Sequence, residues 1–280
     1  MIDPLVVEEL IDRALAEDIG FADLTSELVI PAGARAGLAL NARQDIVVAG
    51  IDVAAQVFRR RVPECRVELR VKDGDRVNAG TAMGRVEGPA RGLLAVERTA
   101  LNFLQHLSGV ATLAAQYVER IAGTRAVLID TRKTTPGLRA LEKHAAQLGG
   151  ARNHRLRLDD GVLIKDNHIS VCGSIALAVE RARRGAPVLT KIEVECDTLE
   201  QVREALRAGA DMILLDNMSL EDLRRAVALS GGRVPLEASG GVRLETLRAV
   251  AETGVDFISV GRITQSAPAV DIGLDAVVRV

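Results

Sequence analysis

The sequence predicts an α/β protein whose second half is a parallel strand–helix series. Three observations carry this. After Gly123, six short apolar runs follow one another, each with polar chemistry at or just past its C-terminal end. Helical segments separate the later runs, and a glycine-containing turn follows each helix. Strands alternating with helices at roughly 20–35 residues per unit build a parallel sheet, and a closed barrel is the natural architecture for so even a series.

The runs span residues 126–129, 161–164, 189–194, 212–215, 235–238 and 257–260, and the intervening helices 175–184, 199–208, 220–229 and 244–252. Ahead of them the pattern is mixed. Asp3-Pro4 reads as an N-cap and first helical residue, and Leu10, Ile11, Ala14 and Leu15 form an apolar stripe. That helix should stop at Gly20, and residues 23–26 form another cap or turn. Residues 36–48 suit strands, 52–60 a helix and 67–71 a half-exposed strand. Turns at 73–75 and 78–80 then flank short strands. This hairpin-rich stretch resembles the hammerhead of biotinyl and lipoyl carriers in strand packing, but it lacks their modifiable lysine at a tight turn. Residues 92–106 form a strong helix, Gly109 should interrupt it, and a second helix should cover 111–121.

Composition narrows the function. With 280 residues, 48% hydrophobic and 26% charged, the chain is sized for one large or two modest globular domains. No apolar run is long enough to cross a bilayer, and the N-terminus lacks a basic region followed by an apolar core. A net charge of -2 argues against bulk nucleic-acid binding, so any anion site is local. Cys65, Cys172 and Cys196 are far apart and odd in number, which suits a reducing cytoplasm.

The chemistry gathers at the strand ends, where barrels place their active sites. The first run ends in Asp130-Thr131-Arg132-Lys133-Thr134-Thr135-Pro136-Gly137. Arginine offers a planar fork for a carboxylate or phosphate, lysine a point charge. Further cations follow at Arg139, Lys143, Arg152, His154, Arg155, Arg157, Lys165 and His168. Two like charges 5 Å apart repel by roughly 3 kcal/mol at an effective dielectric near 20, so such a cluster calls for a polyanion. Arg139 and Lys143, four apart on a helix, also read as plain surface residues, and Arg98 as a helix-surface charge. Glu195 and Asp216 end consecutive strands; paired acids facing cations suit Mg²⁺, sugar hydroxyls or a cationic transition state, with local capping the rival reading. Ser239-Gly240-Gly241 and Gly261 end the last two strands, where small residues let backbone N–H groups approach a phosphate.

In combination these stretches resemble quinolinate phosphoribosyltransferases. The matching segments are Glu17-Asp18-Ile19-Gly20, Glu97-Arg98-Thr99-Ala100-Leu101-Asn102, Thr131-Arg132-Lys133-Thr134-Thr135-Pro136-Gly137 and Asn153-His154-Arg155, then Leu163-Ile164-Lys165-Asp166-Asn167-His168, Glu193-Val194-Glu195, Leu215-Asp216-Asn217 and Glu237-Ala238-Ser239-Gly240-Gly241. They cover nearly the whole chain.

The resemblance implies an N-terminal α+β open-sheet domain (1–108), an incomplete (β/α) barrel holding the active site (109–266), and a C-terminal tail (267–280) returning to the first domain. It implies a cytoplasmic homodimer, or a larger assembly of dimers, in which one subunit's first domain caps the other's barrel. The implied substrates are quinolinate and 5-phosphoribosyl 1-diphosphate, with Mg²⁺ required and neither nucleic acid nor membrane as a partner. The products are nicotinate mononucleotide, diphosphate and CO₂.

By position, Arg98 would reach a quinolinate carboxylate across the dimer, and Arg132, His154, Arg155 and Lys165 would surround the same dianion. Lys133 would meet the diphosphate. Glu195 and Asp216 would hold ribose hydroxyls and metal, and Ser239, Gly240, Gly241 and Gly261 the 5-phosphate. Thr131, Val260 and Arg262 join the substrate-binding set, and Lys133, Lys165, Glu195 and Asp216 are the catalytic candidates.

One departure is Thr264-Gln265-Ser266, where the family commonly carries His after the Thr; glutamine brings no charge, which bears on phosphate affinity. The residues alone also allow a related pyrophosphorylase acting on another acid or base, a Schiff-base aldolase using Lys165, or a non-catalytic phosphate-binding barrel.

Overall fold

The computed structural model describes residues 3–279. In chain order its elements are α1 (Pro4–Ile19), α2 (Leu24–Val29), β1 (Arg35–Ala42), β2 (Ile46–Val47), α3 (Ile51–Arg61), β3 (Arg66–Leu69), β4 (Arg76–Val77), β5 (Ala82–Pro89) and α4 (Ala90–Arg120). There follow β6 (Val127–Ile129), α5 (Arg139–Leu148), β7 (Val162–Ile164), α6 (Asp166–Cys172), α7 (Ile175–Gly185), β8 (Ile192–Cys196), α8 (Leu199–Ala208), β9 (Met212–Asp216), α9 (Leu220–Ser230), β10 (Leu236–Ser239), α10 (Leu244–Ala251), β11 (Phe257–Ser259), α11 (Arg262–Gln265) and β12 (Ile272–Arg279). Their contacts divide them into two units. The first holds the chain up to Ala115, Thr135–Gly149 and the segment from Ser266; the second holds Gln116–Thr134 and Gly150–Gln265.

In the first unit, Asp3 caps α1 by accepting from the Leu5 N–H, Pro4 opens the helix, and Val7, Ile11 and Leu15 form its buried stripe. Asp23 caps α2 in the same way through the Ser26 N–H. An antiparallel sheet of order β12-β1-β5-β3 forms the unit's frame. On β1 the period-two pattern buries Leu38, Leu40 and Ala42. β12 pairs along β1 from Ala42↔Ile272 to Ala36↔Arg279.

Two expectations fail here. Gly109 does not break the helix: α4 is one helix of 31 residues. A single glycine costs a helix only about 1 kcal/mol, too little to end one whose Leu101, Leu104, Leu107 and Val110 are buried. The glycine serves close approach instead, since a Cβ there would stand 2.2 Å from the Pro268 carbonyl oxygen. Nor is Lys143 a surface residue: on α5, in the first unit, it is 1% exposed beside a fully buried Glu142. Glu142 accepts from the Thr135 N–H at 3.0 Å and lies 2.8 Å from His106 Nε2.

In the second unit the six apolar runs form one parallel sheet of order β6-β11-β10-β9-β8-β7. Consecutive strands β7 to β11 lie side by side and β6 pairs with β11, which is the order of a barrel cut between β6 and β7. The closed barrel suggested by the strand–helix rhythm is therefore not reached. Among the described residues the free edge of β6 meets only Arg152, through a single parallel bridge at Ile129. One run also shrinks: Val188 and Leu189 are exposed, and β8 starts at Ile192. The helices hold their expected places, with Ser174, Thr198 and Ser219 as N-caps of α7, α8 and α9.

Candidate active site

A cleft of about 400 Å³ opens in the second unit at the C-terminal ends of its strands. The pleat explains which side chains reach it, because residues two apart on a strand share a face. Glu193 and Glu195 share one face of β8, Leu214 and Asp216 of β9, and Glu237 and Ser239 of β10. In register, Glu195 stands beside Leu214 and Asp216 beside Ser239. The cations lining the cleft are Arg132, Lys133, Arg155 and Lys165.

Three of the four are held by their own devices. Thr131 Oγ1 accepts the Lys133 N–H at 3.0 Å, and the Lys133 carbonyl accepts from buried Thr264 Oγ1 at 2.7 Å. Lys165 Nζ donates to Glu195 in an ion pair whose acid is 11% exposed at its side chain. Arg155 Nη1 donates to the Gly161 carbonyl at 2.9 Å. Burial, and after it the charge of Arg132, hold the Arg155 guanidinium below its ordinary pKa. Arg132 Nε is buried without a hydrogen-bond partner. An orphaned buried donor among like charges is a strong call for an anion.

The floor is acidic. Asp130, fully buried, accepts the His154 N–H at 2.8 Å and Asn153 Nδ2 at 2.6 Å. His154 Nε2 lies 2.8 Å from Glu193 Oε2 and 3.5 Å from Glu237 Oε2. Burial, and after it the charge of Glu193, push the Glu237 carboxyl well above its ordinary value. A carboxyl in that position gives up its proton less readily than a free one.

Of the sequence candidates, Thr131, Arg132, Lys133, His154, Arg155, Lys165, Glu195, Asp216 and Ser239 line this cleft. Gly240 and Gly241 follow β10 directly, with φ of 92° and 60°. A Cβ on Gly261 would meet Lys133 Cδ at 2.8 Å and Thr131 Oγ1 at 3.4 Å, so that glycine seats the Lys133 loop. Val260 is buried, its N–H on the Ile129 carbonyl, and Arg262 is exposed at the start of α11. Arg98 stands exposed on α4 in the first unit.

Other cations of the proposed cluster are occupied elsewhere. Arg139 and Lys143 lie on α5 in the first unit. Arg152 sits 6.0 Å from the Phe257 ring centroid, His168 Nδ1 accepts the Lys165 N–H at the start of α6, and Arg157 is exposed and not among the residues lining the cleft. Sequence reasoning missed Asp130, Glu193, Glu237 and Ser259 as parts of the site. For Glu193 and Glu237 the available signal was a charge inside an apolar strand run, two residues before an acid or serine already singled out; for Asp130 it was its place at the head of a polar strand end, and Ser259 offered none.

Comparison with known proteins decides the family. Residues 23–108 match the profile of the quinolinate phosphoribosyl transferase N-terminal domain, and residues 110–275 that of its C-terminal domain. The chain belongs to the quinolinate phosphoribosyl transferase family. A nicotinate-nucleotide pyrophosphorylase [carboxylating] from Mycobacterium leprae is 44% identical over 273 residues, covering 95% of this chain and 96% of that one. Among solved structures, the nicotinate-nucleotide pyrophosphorylase from Francisella tularensis superposes with a TM-score of 0.95 at 37% identity, covering 99% and 98%. The one from Ehrlichia chaffeensis gives 0.92 at 43%, covering 96% and 98%. In this quinolinate phosphoribosyl transferase family member both the mixed first unit and the open parallel sheet thus have direct counterparts.

Proposed function

We propose that the cleft of the second unit is where the enzyme joins quinolinate to 5-phosphoribosyl 1-diphosphate. The enzyme is a phosphoribosyltransferase of NAD biosynthesis, releasing nicotinate mononucleotide, diphosphate and CO₂. One observation carries the reading: Arg132, Arg155 and Lys165 converge on one cleft with a buried Arg132 N–H left without an acceptor. A pyridine dicarboxylate would supply acceptors for the guanidinium and ammonium groups that line the cleft, and charge-assisted hydrogen bonds of about 1.5–3 kcal/mol each offset the mutual repulsion of the cations.

The chemistry follows from charge. As the C1–oxygen bond of the ribose breaks, positive charge grows on C1 and the ring oxygen, and Glu195 and Asp216, which line the cleft, would stabilise it. Lys133 would offset phosphate charge, and the backbone N–H groups of the glycine loops would donate hydrogen bonds to phosphate oxygens. The pyridine nitrogen attacks C1, and the resulting pyridinium draws in the electron pair of the adjacent C–C bond as CO₂ leaves; C2 then takes a proton. Positioning does most of the work, since no protein nucleophile is needed. The ion pair of Lys165 with Glu195 spends that lysine as a cation, which disfavours the Schiff-base alternative.

Mg²⁺ suits the donor set. Mg²⁺ is usually held by one or two carboxylates together with substrate phosphates. Lys165 occupies Glu195, so Asp216 is the carboxylate left for an ion arriving on the diphosphate, where it would add charge against the leaving group. Arg98, exposed on α4, supports a homodimer in which it reaches the other subunit's cleft. Three free cysteines, and no helix among the described residues long and apolar enough to cross a membrane, support a cytoplasmic setting.

The test is release of labelled CO₂ from carboxyl-labelled quinolinate. Release that depends on the phosphoribosyl donor is expected. Release without the donor, or none with it, overturns the assignment.

A further inference from the structure

Beneath the cleft, His154, Glu193 and Glu237 bring their ligand atoms within 4.8 Å of one another, the spacing of a metal site. The hydrogen bonds say otherwise. The Arg155 N–H donates to His154 Nδ1 at 2.7 Å, so that nitrogen carries no proton. The ring proton is therefore on Nε2, aimed at Glu193 Oε2 2.8 Å away. A metal would need Nε2 bare while the backbone N–H still occupies Nδ1, which asks for an imidazolate. The cluster is a hydrogen-bonded positioning device, and His154 has no free ring N–H to offer a substrate.

We propose that Glu193, backed by Glu237, is a positioning residue that fixes the His154 ring as its Nε2–H tautomer and thereby sets the backbone of Arg155 for binding the dicarboxylate. The chain of contacts is continuous. Glu193 holds Nε2, Nδ1 holds the Arg155 N–H, and the His154 N–H is pinned on buried Asp130 at 2.8 Å. Glu193, 5% exposed, stands behind the cleft lining, while Glu237, 1% exposed, is part of it, so Glu193 acts through His154. Removing the Glu193 carboxylate strands a buried ring N–H. The ring can then turn or move its proton to Nδ1, where it would face the Arg155 donor. Arg155 loses its anchor at that point, while the Lys133 loop and the glycine loops, which take the other substrate, are untouched.

The kinetic half of this claim rests on the reading of the cleft as the quinolinate site; the tautomer half does not. Long-range ¹H–¹⁵N spectra of histidine-labelled protein read the tautomer without substrate, and with 4 histidines in the chain His154 is assigned by its loss in His154→Gln. Wild type should show Nε2 protonated and Nδ1 bare, and Glu193→Ala should lose that signature. In the same variant KM for quinolinate should rise about ten-fold or more, with KM for the phosphoribosyl donor within about two-fold. Glu193→Gln, which keeps an acceptor, should recover most of the loss. Should Glu193→Ala fail to fold, Glu193→Asp withdraws the carboxylate by one methylene and is read the same way.

A proton on Nδ1 in wild type, an unchanged quinolinate KM, or equal rises in both KM values would overturn the proposal. Absence of quinolinate turnover in wild type would count against the assigned reaction and leave the tautomer measurement to decide the positioning.

Discussion

Gly240→Ala is the perturbation that reads the rim of the cleft most directly. Gly240 has φ of 92°, and a Cβ there would lie 2.2 Å from Asn217 Oδ1, 2.5 Å from its Cγ and 2.8 Å from its backbone nitrogen. That nitrogen cannot yield cheaply, because its N–H donates to the Ser239 carbonyl at 3.0 Å. An L-residue at positive φ costs about 1–2 kcal/mol and overpacking about 1–3 kcal/mol, so Gly240→Ala should lose about 2–5 kcal/mol. Gly241 separates the two contributions: its φ is 60° but nothing lies within 4 Å of its Cβ position, so Gly241→Ala should lose only about 1–2 kcal/mol. Urea unfolding of both variants beside wild type measures the difference. The same clash displaces Asn217, whose Nδ2 donates to Asp216 Oδ2 at 2.6 Å. A carboxylate misplaced by about 1 Å can cost about 100-fold in kcat, read at saturation with both substrates. Equal unfolding midpoints for the two variants would refute the steric argument. An unchanged kcat in folded Gly240→Ala would refute the placing of Asp216 at the reacting centre.

Gly109→Ala should destabilise the fold although alanine favours a helix interior by about 1 kcal/mol, because the Pro268 carbonyl occupies the methyl's place; a raised melting temperature would contradict this. With the proposed homodimer, mixed dimers of Arg98→Ala with Lys133→Ala should recover about half of wild-type turnover per mixed dimer, one intact cleft out of two; no recovery in verified mixed dimers counts against a shared site. His144 supplies a pH dependence. Burial first, opposed by the charge of Asp73, holds its imidazole below the ordinary 6.5. The unfolded chain then binds the extra proton, so its stabilising contribution is complete above the ordinary value and is lost as pH falls below it. His144→Gln should flatten the decline in unfolding midpoint between about pH 7.5 and about pH 5.5, and an unchanged slope would remove His144 as its source.

Much of this architecture was legible because it rests on local rules. Asp3-Pro4 and Gly20 bound α1 by capping chemistry, and the strands of the second unit declare themselves as short apolar runs ending in polar residues. What was not legible depends on contacts distant in sequence. Gly109 reads as a helix breaker until Pro268 is seen against it, and Lys143 reads as surface until α5 is seen buried. The gap between β6 and β7 has no local signature either, since each strand taken alone looks like its neighbours. In the site, residues at strand ends were readable and their supports were not. Glu193 and Glu237 lie inside apolar runs, where a charge looks like a tolerated exception until the pleat turns it toward the same cleft as Glu195 and Ser239.

The buried acids also resolve an electrostatic difficulty. Four cations around one cleft repel each other, and free carboxylates among them would relieve the strain by neutralising the site and blocking it. Here the acids other than Asp216 are committed. Asp130 is held by His154 and Asn153, Glu193 by His154, and Glu195 by Lys165. Burial and the charge of Glu193 push the Glu237 carboxyl up, so it resists adding negative charge. The acids lower the potential of the cleft from positions they cannot leave, while the Arg132 Nε–H remains buried and unanswered. A cleft arranged in this way is tolerable when empty and still favours an incoming dianion over any acid the protein itself could swing in, which is what preorganisation requires of a site that works by placement.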